Sequence, residues 1–156
     1  MKTGAWMQFS LGVEHPEDPM FGRVELTLWP DGALLLEGRL HGAHAVWEAS
    51  LSPAGVEELR GALRRADWPR LPNHTILSEE TQVVLEVRGV DGVERAAFDY
   101  YAGMRLSGYR DLLQRLYGVS DYLLYGLGAG RARPRPEGLT GARAQPNGDR
   151  PHGKTA

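Results

Sequence analysis

The chain has 156 residues, 42% of them hydrophobic and 24% charged, and it contains no cysteine. That length suits one compact core better than two, and the lack of thiols excludes a disulfide framework and thiolate-based metal or redox chemistry. The net charge of −2 divides unevenly, because residues 1–125 carry twelve basic against eighteen acidic side chains and residues 126–156 carry six against two. The folded part of a dedicated nucleic-acid domain is itself basic, so an acidic body argues against that class.

Alternation is the first signal along the chain. Met7, Phe9, Leu11 and Val13 fall on one side with Gln8, Ser10 and Gly12 between them, which predicts a strand with one buried face. Gln8, Ser10 and Glu14 also interrupt any signal-like apolar run there. No segment approaches the roughly 18 uninterrupted apolar residues of a membrane-spanning helix. A soluble, cytoplasmic protein is the expectation.

Residues 14–22 hold two prolines and three acids and read as a loop. Val24, Leu26 and Leu28 predict a second strand, and Trp29-Pro30-Asp31-Gly32 a tight turn in which Pro presets φ and Gly accepts a positive one. The chain returns through Ala33–Leu40, turns at His41-Gly42, and gives a fourth strand over Ala43–Ala49. At Leu51-Ser52-Pro53 the period changes. Ser52 caps, Pro53 takes the first helical position, and Leu51 with Val56 forms a hydrophobic staple. Val56, Leu59, Leu63 and Ala66 mark the buried stripe of a helix over 53–66, which Trp68-Pro69 ends.

Residues 69–80 read as a loop. Val83, Leu85 and Val87 predict a fifth strand, Gly89-Val90-Asp91-Gly92 a hairpin link, and Val93–Tyr101 a sixth strand. A second helix is expected over 105–117 on the stripe Leu106, Tyr109, Leu113 and Leu116, with Gly118 as its stop. The fold class is therefore α+β: one antiparallel sheet of five or six strands with two amphipathic helices on one face, in the order ββββαββα. From Gly126 the chain has seven Gly, four Pro and only Leu127 and Leu139 as larger aliphatics, so 126–156 is expected to be a disordered basic tail on a domain of residues 1–125.

No reactive constellation assembles along the sequence. His41 and His44 are the one close histidine pair, but three residues apart in a strand they point to opposite faces, so no metal site is expected. There is no GxSxG elbow and no cysteine nucleophile. Ser78, Ser107, Glu57-Glu58, Glu79-Glu80 and Asp91/Glu94 read as caps and solubilising charge. Gly126-Leu127-Gly128-Ala129-Gly130 is followed by Arg131-Ala132-Arg133-Pro134-Arg135-Pro136, which cannot open the helix that a phosphate-binding loop needs. No catalytic residue and no cofactor is assigned. Arg131, Arg133 and Arg135 are candidate tail contacts to phosphates, an acidic protein or an acidic membrane surface.

Trp6 and Trp29 stand opposite their strands' aliphatic stripes and are the candidate partner-binding residues. The loops at 14–22 and 69–80, with Glu14, His15, Asp18, His74, Glu79 and Glu80, are the next surfaces to consider. The capped helix from Leu51, its Ala66-Asp67-Trp68 exit, the two strands around Asp91-Gly92 and the helix after them are similar to the emfourin type of small metalloprotease inhibitor. The resemblance implies an inhibitory role and carries over no residue. The functional expectation is a non-catalytic protein-binding domain, of inhibitor, immunity or accessory type, acting through a sheet face or edge. Its alternatives are a small enzyme or small-molecule binder whose site forms only in three dimensions, and a nucleic-acid accessory protein using the tail.

Overall fold

The computed structural model describes residues 1–12, 23–40, 43–70 and 82–145. Seven strands form one antiparallel sheet: β1 (Met7–Leu11), β2 (Val24–Leu28), β3 (Ala33–Leu40), β4 (Ala43–Leu51), β5 (Gln82–Gly89), β6 (Gly92–Asp99) and β7 (Leu139–Ala144). Their spatial order is β6-β5-β1-β2-β3-β4-β7. Three helices, α1 (Pro53–Arg65), α2 (Tyr100–Arg105) and α3 (Ser107–Asp121), accompany the sheet, and a π-helical segment, Tyr122–Gly128, prolongs α3. Among the described residues no helix is long and apolar enough to cross a membrane.

Opposed residues on neighbouring strands share a face. The registers therefore line Val87, Leu85 and Val83 up with Met7, Phe9 and Leu11, then with Leu28, Leu26 and Val24, then with Leu34 and Leu36. Together with Trp47 and Ala49 these make the apolar face that the helices cover. Helix α1 packs on α3 and β4, α3 reaches β2, and the π-helical segment lies on β3 and β7.

Local chemistry sets the boundaries. Ser52 Oγ accepts from Gly55 N at 3.2 Å and Pro53 opens α1, with Leu51 and Val56 both buried. In the turn after β2, Gly32 has φ +90° and a Cβ there would stand 2.3 Å from the Leu51 carbonyl oxygen, so only glycine fits. At the other end of α1, Gly108 lets α3 settle on the Arg65 and Ala66 backbone, where a Cβ would meet the Arg65 oxygen at 2.4 Å.

The architecture differs from the sequence reading by one strand and one helix. The sixth strand stops at Asp99 instead of Tyr101, because the Asp99 carboxylate accepts from Ala102 N at 2.7 Å and starts α2. Gly118 does not end the second helix. Val119, Leu123 and Leu124 continue the buried period past it, and the chain stays helical to Gly128.

The expectation of an unstructured chain from Gly126 is corrected for the π-helical segment and for β7, while residues 146–156 lie outside the described residues. The physical reason is the edge of β4, whose free backbone groups bind a strand with little regard to its composition. Ser52 N donates to Gly138 O and Gln145 N to Val46 O, both at 2.8 Å, and Leu139 is buried to 3% exposure. Deleting the residues after Gly138 should therefore lower stability by about 2–3 kcal/mol, the burial of one leucine with part of a ladder. Urea unfolding of the truncated chain checks this, and an unchanged midpoint would contradict the role of β7.

Candidate functional site

The two tryptophans named from sequence do not form a shared exposed patch. The chain bends at Trp6, just before β1, so its ring joins the core at 8% exposure and lies 5.3 Å from the Arg60 guanidinium of α1. That bend breaks the alternation on which the outward assignment rested, and Trp6 is corrected to a core residue. Trp29 is half-buried at the end of β2, and its Nε1 donates to Thr3 O at 3.1 Å.

The sheet face away from the helices is also partly occupied. Met1 places its amino group 3.1 Å from Glu86 of β5, Lys2 pairs with Glu37 of β3, and Arg88 Nε donates to Ala5 O at 3.1 Å. Residues 1–5 thus lie across strands β1 and β2 on that side.

The exposed aromatic surface is on the helical side. Tyr100 and Tyr101 meet edge to face with centroids 5.5 Å apart, and Tyr100 lies 6.0 Å from Tyr117 of α3. Tyr101 is 65% exposed and Tyr117 41%. Burial, then the charge of Asp121 and the neighbouring Tyr100 and Tyr125, raise the Tyr117 phenol above its ordinary range. Tyr125 in turn carries two cations over its ring, Arg131 at 5.6 Å and Arg133 at 5.9 Å. Arg131 N donates to Tyr125 O at 2.8 Å and Arg133 pairs with Asp121 at 2.8 Å, so both are fixed beside the tyrosines. The third named arginine, Arg135, turns away and donates from Nε to Leu139 O at 2.9 Å.

A groove of about 360 Å³ runs between α1, α3 and the segment Pro134–Glu137. Leu51, Leu59 and Val119 contribute apolar walls, and Glu58, Asp111 and Arg115 charge. These charges satisfy one another. Asp111 accepts from Arg65 and Arg115, and Arg115 reaches Glu58. The hydrogen bond from Arg65, with that from Arg115, holds the Asp111 carboxyl below its ordinary value of 3.8 against the opposing effect of burial.

The remaining candidates are scattered. Glu57 pairs with Arg60, Glu94 accepts from Trp68 Nε1 at 3.1 Å, and Ser107 and His44 are exposed. His15, His41, His74, His152, Glu14, Asp18, Ser78, Glu79 and Glu80 lie outside the described residues. Among the described residues no group of three His, Asp or Glu side chains could hold a metal ion. Compared with known protein families and with curated proteins, the chain matches none.

Sequence reasoning passed over the tyrosines. Tyr100-Tyr101 ends a strand-like run, and Tyr117 and Tyr125 straddle the glycine read as a helix stop. The available signal was Asp99, a capping residue that turns the run into a helix start.

Asp111 supplies a pH test. Its lowered value means that its contribution to folding is complete above the ordinary carboxylate range and is lost as pH falls through the folded value. Asp111→Asn should thus be less stable than wild type at neutral pH, by about 1 kcal/mol for a solvent-screened network. The difference should close as the pH drops below 3.8, measured as thermal midpoints across an acid series.

Proposed function

We propose that this chain is a non-catalytic protein-binding domain of inhibitor, immunity or accessory type. The observation that carries the reading is the tyrosine cluster on the helical side, with Tyr101 65% and Tyr117 41% exposed, and with two arginines held over the ring of Tyr125. Tyr and Arg are enriched in interface cores because each offers large contact area together with directed hydrogen bonding. The helical side, rather than a sheet face, is the favoured contact surface. One sheet face is packed under helices and the other is crossed by residues 1–5.

The groove supports a second reading, a small-molecule binder. Its volume of about 360 Å³ falls in the range of ligand pockets, and its walls are partly apolar. Glu58, Asp111 and Arg115 in it already pair with one another, however, so a ligand that engages them would have to displace an ion pair.

Tyr101 separates the readings. Tyr101→Ser should leave the thermal midpoint within about 2 °C, as expected for an exposed side chain. The same variant should abolish retention of a specific protein by the immobilised domain from native lysate. Retained proteins unaffected by the change would place the contact elsewhere, and the absence of any retained protein would count against a binding domain.

A further inference from the structure

We infer that the tyrosine surface, read as above as a protein contact, takes an acidic segment of its partner, with a carboxylate meeting Arg131 while its apolar side chains rest on Tyr101 and Tyr117. The inference rests on the protein-binding reading and adds the chemistry of the partner.

Charge distribution is the first argument. Residues 100–135 carry six arginines against two aspartates, whereas the rest of the chain carries twelve basic and eighteen acidic side chains. Both aspartates are used internally, Asp111 by Arg65 and Arg115 and Asp121 by Arg133. Arg131 is exposed and has no ion pair among the described residues. Arg110 lies seven residues before Tyr117, on the same side of α3, and is exposed, with Nε bound to Met104 O at 2.7 Å. Arg110 and Arg131 are therefore the exposed cations offered near the tyrosines on an otherwise acidic molecule.

Preorganisation is the second. Long cationic side chains lose rotamer freedom when they bind, which weakens most surface contacts. Here the backbone of Arg131 is tied to the Tyr125 carbonyl, and Arg133 is held by Asp121 with its guanidinium near the same ring. Much of the ordering precedes binding. A carboxylate approaching Arg131 gains a charge-assisted hydrogen bond without having to fix the chain that carries it.

The rings favour a peptide over a nucleic acid. Tyr101 stands at 82° to Tyr100, and Tyr117 is tilted 48° to it, so the cluster uses ring faces on its own edges and leaves no row of parallel platforms for successive bases. Small apolar side chains fit such a stepped surface.

Fluorescence anisotropy with labelled probes tests this on the full chain. The probes are a peptide of alternating Glu and Leu, its counterpart with Gln for Glu, and oligothymidylate. The acidic peptide should bind at least about tenfold more tightly than the Gln peptide, and Arg131→Glu should remove about tenfold in affinity. Added salt should weaken binding, and Arg95→Gln, opposite Glu86 on the sheet face away from the helices, should change nothing. Arg131→Gln serves where the charge reversal lowers the thermal midpoint, with a smaller loss in the same direction. If both peptides bind equally and lose affinity with Tyr101→Ser, the protein-binding reading stands and the acidic partner falls. Tighter binding of oligothymidylate than of the acidic peptide overturns the inference in favour of a nucleic acid. If no probe binds, the inference is wrong, while capture through Tyr101 still decides the underlying reading separately.

Discussion

The five-residue strand β1 holds the two halves of the sheet together. On one side it pairs with β2, which continues into β3, β4 and β7; on the other it pairs with β5, which carries β6. Met7 and Phe9 face the helices with no exposure and sit between Leu28 and Val87, and between Leu26 and Leu85, respectively. Period two leaves no freedom of register here, since a slip by one residue would put Gln8 and Ser10 under the helices. Losing a buried phenylalanine from such a position typically removes about 3–5 kcal/mol, a large share of the stability of a domain of this size.

The helical layer is held by its buried side chains and is seated by one close backbone contact. Gly108 brings the start of α3 onto the end of α1, and Tyr109, next to it, donates its hydroxyl to Arg70 O at 2.7 Å. Burial, helped by the negative charge of Asp67, pushes the Tyr109 phenol up to about 12, so the hydroxyl stays a donor throughout the ordinary pH range. With that end fixed, the direction of α3 decides where Tyr117 emerges. Its π-helical continuation then carries Tyr125 to the arginines that follow. The aromatic surface is a consequence of how α3 is seated, which ties the proposed contact to the core.

Elements whose signals are local were legible in the sequence. Ser52-Pro53 starts a helix because the cap and the missing N–H act within one turn, and Gly32 makes its turn because its φ of +90° suits glycine. The alternation from Met7 to Leu11 and from Val83 to Val87 correctly marks strands with a buried face. What was not legible depends on distant partners. Strand β7 exists because β4 offers an edge some ninety residues earlier in the chain, with Thr140 Oγ1 donating to Ser50 O and Arg143 gripping Glu48. Trp6 is buried because the chain bends before β1, and Asp99 caps a helix inside a run whose composition suits a strand. Composition alone gives the wrong answer at each of these positions.

The segment from Gly126 to Gln145 brings these points together. Its Gly, Pro and Arg content is that of a linker, yet both of its ends are fastened, one through Arg131 N to Tyr125 O and the other through the β7 ladder. Between them Pro134 and Pro136 limit φ, so the free stretch has few conformations left to lose. A chain that buries little apolar surface can still be ordered in this way, because hydrogen bonds at its ends and stiffness in its middle replace a core of its own. The Arg143 and Gln145 hydrogen bonds to Glu48 illustrate the fastening and hold that carboxyl below its ordinary range. One anchor completes the sheet and the other fixes Arg131 beside Tyr125, so edge protection and a cation at the tyrosine surface arise from one stretch of sequence.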